Sequence, residues 1–289
     1  MTISTPSPTR GHEHRHTQRP SDEPTRVRRL TWVEPAAADA LARAGLRTYD
    51  DFVRDLALEP AARTSTSRTY RIDIPCTPAP DFIRTPAAFY LKQFQFTGEQ
   101  WRHRFRPSKA AVEAANYRRL RRAGVPVPDV IAYGSRRAGW RLLGGFILTR
   151  AIEADPLDRW WISQRAVGGP TDALRRNLAA ALLDLLARMH GAGLYHVDLQ
   201  WRNLLARSSG EQIELFVIDS SRGGRRWSPW MKRHGRLRDL SSLEKSARQF
   251  LSLRERLRFL RQYVAATNCR EAHRDLARRI AQDRARKDA

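Results

Sequence analysis

The segment from Gly193 to Arg225, "GLYHVDLQWRNLLARSSGEQIELFVIDSSRGGR", most constrains the fold of this chain of 289 residues. It holds two short apolar runs, "LYHVDL" and "IELFVID", which predict two strands joined by a polar loop. Asp198 stands near the end of the first run, Asn203 follows five residues later, and Asp219 ends the second run. The spacing of apolar residues predicts a long helix immediately before this segment. Its stripe comprises Leu174, Leu178, Leu182, Leu185, Leu186 and Met189.

These three polar residues are of the kind that phosphoryl transfer from a nucleotide requires. That reaction needs a carboxylate to orient the attacking hydroxyl, oxygen ligands for Mg²⁺, and a Lys held by a carboxylate against the phosphates. Asp198 and Asn203 have the spacing of a kinase catalytic loop, and Asp219 offers a further oxygen ligand of the type Mg²⁺ prefers. Each feature alone also fits a chance pattern at the edge of a core.

Lys92 and Glu113 are candidates for the paired Lys and carboxylate. Lys92 lies in the predicted strand "AAFYLKQF" and is one of only five Lys among 53 basic residues. A compact ammonium on a flexible stem suits phosphate binding. Glu113 follows twenty-one residues later, in the first half of a helix predicted to be capped by Ser108. The alternative is a solvated strand Lys and a solvent-facing helical Glu.

The chain divides into four predicted regions. Residues 1–28 are rich in Pro, Ser, Thr, His and Arg and predict a disordered basic tail. Residues 29–62 predict a helical lead-in, and residues 63–152 a strand-rich lobe with one helix and a hairpin. Residues 153–289 predict a helical lobe that ends in Arg-rich amphipathic helices over roughly 239–287. We therefore expect an α+β bilobal fold with a ligand cleft between the lobes.

The charge balance bears on the partner. The 53 basic and 30 acidic residues give a formal net charge of +23, which favours an anionic partner, although a preference for Arg also follows from GC-rich codon usage. No apolar stretch approaches the ~18 residues that span a bilayer, and the first thirty residues lack a secretory apolar region. We expect a cytoplasmic protein. Cys76 and Cys269 lie in no metal-binding pattern, so zinc is not expected.

The order of Lys92, Glu113, "HVDLQWRNLL" and "FVIDSSR" resembles the protein-kinase-like superfamily. More narrowly, it resembles the lipopolysaccharide kinase family, which includes the Kdo and heptose kinases of the lipopolysaccharide core. The resemblance covers roughly residues 37–260 and includes the opening "ALARAGLRTYDDF". It implies a bilobal α+β kinase-like fold, with a small β-rich N-lobe and a larger helical C-lobe. It also implies an ATP-dependent phosphotransferase that acts on a sugar hydroxyl.

The resemblance assigns roles in the catalytic loop and the metal site. Asp198 would be the catalytic carboxylate at the acceptor hydroxyl, and Asn203 and Asp219 would bind Mg²⁺. His196 would be a structural residue of the loop. Val197 stands where regulated protein kinases have Arg, so no regulation by an activation-loop phosphate is expected.

It also assigns the ATP-binding residues. Lys92, paired with Glu113, would contact the ATP phosphates, and the hinge that carries the adenine would run from Thr149 to Ile152. One feature departs from the family of folds: no Gly-rich loop precedes Lys92, where "RTSTSRTYRIDI" offers hydroxyls instead. The sequence therefore leaves open which groups cover the ATP phosphates.

The expected acceptor is a sugar or lipid-linked sugar, because little room for a peptide-docking segment follows Asp219. Arg222, Arg225 and Arg226 are candidates for holding an anionic acceptor, with a solvated basic loop as the alternative. Four tryptophans of this half of the chain would stack on sugar, lie at a membrane surface or pack in the core. They are Trp160, Trp161, Trp227 and Trp230.

Two other functions stay open. One is a soluble small-molecule kinase of the aminoglycoside- or choline-kinase type. The other is an inactive kinase fold that serves as an adaptor for anionic partners. Nucleic acid is the less favoured partner, while peripheral contact with the anionic cytoplasmic face of the inner membrane fits the charge. The oligomeric state cannot be predicted from the sequence.

Overall fold

A computed structural model describes residues 27–74, 87–95, 107–267, 269 and 271–288. The predicted tail up to residue 26 and the cysteine Cys76 lie outside these ranges.

The N-terminal half of the described chain is built on one antiparallel sheet. Its strands are β1 (Val27–Val33), β2 (Ala62–Arg63), β3 (Ser67–Ile74), β4 (Ala87–Gln95), β5 (Val130–Ala138) and β6 (Arg141–Arg150). They are arranged in the order β1-β5-β6-β4-β3-β2. The central strands β6 and β4 carry the apolar runs, and β5 and β6 form the predicted hairpin with its turn at Gly139.

The lead-in predicted to be helical over residues 29–62 is only partly helical. Two short helices, α1 (Ala38–Arg43) and α2 (Tyr49–Val53), lie on either side of Gly45. The prediction is wrong for β1, which pairs antiparallel with β5, and the predicted disordered tail is wrong for its last two residues, Val27 and Arg28, which belong to the same strand. Most residues of β1 are exposed, so no apolar alternation marks this strand. Long-range pairing with β5 creates it, which local sequence patterns do not report.

The two faces of the sheet are covered by different elements. On one face, α1 and α2 pack on β4 and β6, and Phe52 of α2 stacks on Phe146 with ring centroids 4.2 Å apart. On the other face lies helix α3 (Lys109–Arg122), whose Ala110, Ala114 and Tyr117 join the core that continues into the helical half. Ser108 caps α3 as predicted, accepting a hydrogen bond from the N–H of Ala111 at 3.1 Å. The helix ends before Gly124, which has a φ of +73°.

The C-terminal half is mainly helical. Its helices are α4 (Leu157–Ala166), α5 (Asp172–Gly191), α6 (Pro229–Phe250), α7 (Leu253–Ala266) and α8 (His273–Asp288). Thr171 caps α5, accepting a hydrogen bond from the N–H of Leu174. Helix α6 begins ten residues before the predicted helical region of 239–287, because Ser228 caps it and Pro229 occupies its first turn.

Short strands connect these helices and carry the catalytic-loop sequence. They are β7 (Asp155–Pro156), β8 (Leu194–Tyr195), β9 (Leu204–Ser209), β10 (Gln212–Val217) and β11 (Gly224–Arg225). The predicted strand "LYHVDL" is wrong beyond Tyr195, because Val197 has a φ of +72° and cannot continue an extended strand. The predicted strand "IELFVID" is confirmed as β10, with Asp219 two residues past its end.

None of the helices in these ranges is long and apolar enough to cross a membrane.

Candidate active site

Lys92 lies at the centre of the candidate site and contacts two carboxylates. It projects from β4 toward α3, where its Nζ is 3.3 Å from Oε2 of Glu113. The same Nζ is 2.6 Å from Oδ1 of Asp219, which follows β10. Three residues predicted from widely separated motifs therefore meet at one ammonium group.

The electrostatics of this cluster keep Lys92 charged. Burial alone would lower the pKa of Lys92, but the carboxylates of Glu113 and Asp219 offset this effect and raise the pKa above its ordinary value. Burial raises the pKa of Glu113, and Lys92 opposes that rise. Asp219 is about half exposed, whereas the side chain of Glu113 is only 4% exposed. Glu113 is therefore the group that most needs its cationic partner.

Tyr117 of α3 joins Glu113 to the backbone of Asp219. Its hydroxyl donates to Oε1 of Glu113 at 3.0 Å and accepts from the N–H of Asp219 at 2.9 Å. Burial raises the pKa of Tyr117 well above its usual value, so the hydroxyl keeps its proton. Sequence reasoning missed Tyr117, although its position four residues after Glu113 places both on the same helix face.

Asn116 of α3 fastens the segment that follows Asp219. Its side-chain amide donates to the backbone carbonyl of Ser220 at 2.7 Å and to that of Gly223 at 3.0 Å. Arg119 in turn donates to Oδ1 of Asn116 at 3.1 Å. This buried amide was not predicted either, because a single Asn on a helix carries no pattern.

Asp198 and Asn203 lie in one loop and are joined directly. The side-chain amide of Asn203 donates to the carbonyl oxygen of Asp198 at 2.7 Å, and Gln200 donates to Oδ1 of Asp198, also at 2.7 Å. The carbonyl of Asn203 accepts from the N–H of Ile218 at 3.0 Å, one residue before Asp219. The loop is thereby connected to the strand end that delivers Asp219.

A buried carboxylate, Asp239 of α6, holds the loop in its conformation. It accepts from the N–H of His196 at 3.0 Å and from that of Val197 at 2.5 Å, and it lies 3.1 Å from Nε2 of His190. A positive φ at a β-branched residue such as Val197 is strained, and strain of this kind occurs at functional sites. His196 itself contacts the carbonyl of Ile218 through Nε2 at 2.8 Å, which supports a structural role.

The sequence marks Asp239 as a carboxylate on a buried helix face, although it does not show which donors the carboxylate meets. The helical spacing of α6 places Asp239 between Gly235 and Leu243 on one face of the helix. All three are buried. A lone carboxylate on an apolar face needs donors, and the turn before Asp198 supplies them.

A turn rich in hydroxyl side chains precedes Lys92, at the position where the kinase-like resemblance implies a Gly-rich loop. It connects β2 to β3, and within it the hydroxyls of Thr64 and Ser67 are 2.8 Å apart. Lys109, the first residue of α3, donates from Nζ to Oγ1 of Thr66 at 3.2 Å. This contact ties the turn to the helix that carries Glu113.

Lys109 shares an electrostatic environment with the rest of the site. Burial lowers its pKa, and the nearby charges of Lys92 and Arg222 lower it further, while Asp219 has the opposite effect. Lys109 thus lies within electrostatic reach of two other cations and of the Asp219 carboxylate. A polyanion such as a nucleotide phosphate chain would relieve the mutual repulsion of these cations.

Asn203 and Asp219 have donor atoms that fit Mg²⁺. The NH₂ group of Asn203 is committed to Asp198, which leaves its Oδ1 as a neutral oxygen ligand. Asp219 contributes a half-exposed carboxylate. Within the described ranges, no group of three or more His, Cys, Asp or Glu residues is arranged to hold a metal ion. A site with one carboxylate and one amide instead matches Mg²⁺ held jointly by protein and phosphate oxygens.

The predicted hinge residues lie along the central strand β6 and just after it. Thr149 is buried near the end of β6, and Ile152 follows in the connection to β7. Ile147 is the cross-strand partner of Lys92, and Thr149, two residues along, faces the same side of the sheet. Thr149 is therefore on the Lys92 side of the sheet, and its role in adenine binding stays a prediction.

The four tryptophans singled out in the sequence divide into two groups. Trp160 and Trp161 are buried in the core of the helical half, so the core interpretation is confirmed for them. Trp227 and Trp230 are 70% and 74% exposed.

Comparisons with known proteins show which family this chain belongs to. The profile of the lipopolysaccharide kinase (Kdo/WaaP) family matches residues 87–263. The chain belongs to the lipopolysaccharide kinase family. The matched range includes every residue of the Lys92 cluster and of the catalytic loop, together with Asp239. The resemblance to this family seen in the sequence is confirmed.

Two relatives in the lipopolysaccharide kinase family bear on the comparison. The lipopolysaccharide core heptose(I) kinase WaaP of Pseudomonas aeruginosa is 31% identical over 155 residues, which is 50% of this chain and 56% of that protein. The match thus spans little more than half the length of this curated relative. A solved structure of WaaP in complex with acyl carrier protein is similar with a TM-score of 0.61 and 25% identity. It covers 90% of this chain and 97% of that one. The bilobal α+β kinase-like fold is confirmed.

Proposed function

We propose that this protein is an ATP-dependent kinase that phosphorylates a sugar hydroxyl of the lipopolysaccharide core, on a Kdo or heptose residue. The observation that carries the proposal is the Lys92 cluster. Its ammonium contacts both Glu113 and Asp219, and Asp219 is connected through Ile218 to the loop of Asp198 and Asn203. Membership of the lipopolysaccharide kinase family supports the class of acceptor.

Each residue has a task that its contacts support. Asp198 would accept a hydrogen bond from the sugar hydroxyl and orient it toward the γ-phosphoryl group, with Gln200 holding its Oδ1. Lys92 would bind the phosphates, and its short contact with Asp219 would be replaced by contacts with the phosphate oxygens. Asn203 and Asp219 would hold Mg²⁺, which supplies neutralisation of the charge that develops on the phosphoryl oxygens. The preorganised loop keeps these groups in place before substrates bind.

The two other functions are less well supported. Family membership favours a lipopolysaccharide acceptor over an aminoglycoside or choline. An inactive adaptor would not need to bury the carboxyl group of Glu113, which costs free energy. Nor would it need the strained backbone of Val197, which Asp239 holds in place. ATP and the core acceptor would meet at the cytoplasmic face of the inner membrane.

The test compares the wild type with Asp198→Asn and Asp219→Ala. Mg·ATP should raise the melting temperature of the wild type and of Asp198→Asn, because that change leaves the nucleotide and metal ligands intact. Asp219→Ala should lose the Mg²⁺-dependent part of the shift. Phosphate transfer from labelled ATP to core lipopolysaccharide should occur with the wild type and fall by about a thousandfold or more in both variants. Failure of the wild type to bind Mg·ATP would overturn the proposal.

We further propose that an acyl carrier protein is a partner, as it is in the related solved structure. The net charge of +23 suits an acidic protein partner. Helices α5 to α8 also surround a cavity of about 570 Å³ with a mainly apolar lining, large enough for an acyl chain. Its walls include Leu182, Leu243, Leu257, Leu260 and Ile280.

Co-purification tests this partner. The wild type should retain acylated carrier protein through gel filtration. A cavity-filling change, Ala247→Phe, should weaken retention of the acylated form more than of the form without an acyl chain. Equal retention of both carrier forms by the wild type would contradict a role for the cavity.

A further inference from the structure

A basic and aromatic surface follows the Asp219 motif. Residues 220–238, "SSRGGRRWSPWMKRHGRLR", contain seven basic residues and no acidic one. We give the name Trp–Arg surface to five exposed residues of this segment, which are Arg225, Trp227, Trp230, Lys232 and Arg233. It includes the end of β11 and the first turn and a half of α6.

The two tryptophans of this surface are unusual in their exposure. Trp227 and Trp230 are 70% and 74% exposed, whereas Trp160, Trp161 and Trp201 are buried. The guanidinium of Arg225 lies over the Trp227 ring at 4.0 Å, and Trp230 stacks with His234. Each indole ring thus has a neighbouring side chain that positions it, and neither ring is covered by the core. Large exposed aromatic groups with basic neighbours mark interaction sites.

The Trp–Arg surface is fixed rigidly next to the catalytic loop. β11 pairs with β8, so that Gly224 lies opposite Tyr195, three residues before Asp198. The N–H of Arg226 also donates to the carbonyl of Gly193 at 2.8 Å. Ser228 then caps α6 through the N–H of Met231. A partner bound to this surface would therefore be held near the segment that leads into Asp198.

We infer that the Trp–Arg surface docks the protein on an anionic bilayer. Indole rings favour the interface between headgroups and acyl chains, where an apolar body and a polar N–H are both accommodated. Basic side chains around them are attracted to anionic headgroups, each contributing about fivefold in binding near the surface. Arg233 lies 3.7 Å from the carboxylate of Glu271, which offsets part of its charge, while Arg225 and Lys232 add to the positive charge. A surface with exposed indoles and several cations combines the two requirements of interfacial binding. The inference rests on the proposed function, since docking here would present a membrane-held sugar to Asp198.

Vesicle co-sedimentation with the full chain tests the inference. The probes are vesicles of phosphatidylglycerol with phosphatidylcholine, and vesicles of phosphatidylcholine alone. We expect the wild type to bind the anionic vesicles at least tenfold better than the neutral ones. The double change Trp227→Ser with Trp230→Ser should reduce binding to anionic vesicles at least tenfold, and Lys232→Gln should reduce it severalfold.

Trp140→Ser is the matched control. Trp140 is 45% exposed at the β5–β6 turn, in the other half of the molecule, and its loss should change vesicle binding less than twofold. If the double variant binds anionic vesicles as well as the wild type, the attraction comes from the overall charge or the basic N-terminal region, and the inference is overturned. Equal losses in the double variant and in Trp140→Ser would overturn it as well.

A separate readout distinguishes this inference from the proposed function. Mg·ATP should raise the melting temperature of the double variant as it does for the wild type, which shows that the fold and nucleotide site are intact. A wild type that binds anionic vesicles through Trp227 and Trp230 but does not bind Mg·ATP would refute the kinase and leave the docking surface standing.

Discussion

At the scale of single residues, the site depends on one buried carboxylate, Glu113, whose cationic partner is Lys92. Glu113 is almost fully buried, and Lys92 and the hydroxyl of Tyr117 are its partners. Burial raises the pKa of Glu113 above its value in the unfolded chain, so ionised Glu113 costs the folded state free energy at neutral pH. That cost disappears as the pH falls below the unfolded pKa of about 4.3.

Lys92→Met should therefore destabilise the protein in a pH-dependent way. At pH 8, Glu113 loses its cationic partner, and we expect the free energy of unfolding to fall by about 3 kcal/mol. The deficit should shrink toward pH 4.5, because Glu113 is then largely protonated. Urea unfolding at both pH values measures it. The double change Lys92→Met with Glu113→Gln should recover most of the loss at pH 8, and a deficit that persists there would contradict this account.

Lys109→Ala tests the hydroxyl turn as the cover of the phosphates. Loss of one charge-assisted contact should raise the KM for ATP about tenfold with a smaller effect on kcat. The binding defect should be large for ATP and ADP and absent for adenosine, since only the phosphates are involved. Lys245→Ala, on an exposed part of α6, is the control and should bind ATP like the wild type. A similar defect for adenosine would indicate damage to the fold instead.

The contrast between Glu113 and Asp239 shows what the sequence can and cannot reveal about the site. Glu113 could be predicted because it is one member of an ordered set of motifs with known spacing. Asp239 contacts the catalytic loop from forty residues away, and its donors are backbone N–H groups. Backbone donors have no sequence signature, so such a contact becomes visible only in the folded chain.

At the scale of elements, α3 and α6 position the site from opposite sides. Helix α3 presents Glu113, Asn116 and Tyr117 on one face, and α6 presents Asp239. The close approach of α6 to β8 depends on Gly235, where a Cβ atom would come within 2.5 Å of the Tyr195 ring. Because Gly235 lies one turn before Asp239, the packing at this glycine sets the depth of the carboxylate.

Gly235→Ala should therefore displace α6. We expect the free energy of unfolding to fall by about 2 kcal/mol from overpacking and turnover to fall as Asp239 withdraws from Val197. Gly191→Ala is the matched helical control, since a Cβ there meets nothing within 4 Å. It should be neutral or slightly stabilising because Ala favours a helix over Gly. Thermal melts and kinase assays of both variants check this, and equal behaviour would refute it.

Most elements could be predicted where the signal is local. The caps Ser108 and Thr171 and the apolar stripe of α5 are all contained within one helix each. Strand β1 could not be predicted because β5 creates it. The segment after Tyr195 reads as a continuation of an apolar strand, but Asp239 bends it through Val197. In each failure, a distant element overrides the local preference.

At the scale of the whole molecule, the net charge of +23 is the main electrostatic influence on stability and on the choice of partner. Self-repulsion among so many cations destabilises a compact state and is screened by salt. Many of the ion pairs among the described residues lie at the surface, where each contributes little. The charge therefore acts chiefly through repulsion and through attraction to anionic partners.

Raising NaCl to about 0.3 M should stabilise the protein and raise the melting temperature by a few degrees. Calorimetry or fluorescence melts measure this, with an equal osmolality of sucrose as the uncharged control. The same salt should weaken binding to anionic vesicles. A melting temperature that falls with salt would mean that the surface ion pairs outweigh the repulsion.

Asn116 has a consequence for how such a protein can be controlled. Its amide fastens α3 to the carbonyls of Ser220 and Gly223, so α3 cannot swing outward without leaving a buried amide unpaired. With Val197 in place of the Arg that a regulatory phosphate would engage, the groups proposed for catalysis would be assembled before substrates bind. On the proposed function, the rate of such an enzyme would be regulated by the supply of its acceptor and not by an activating modification.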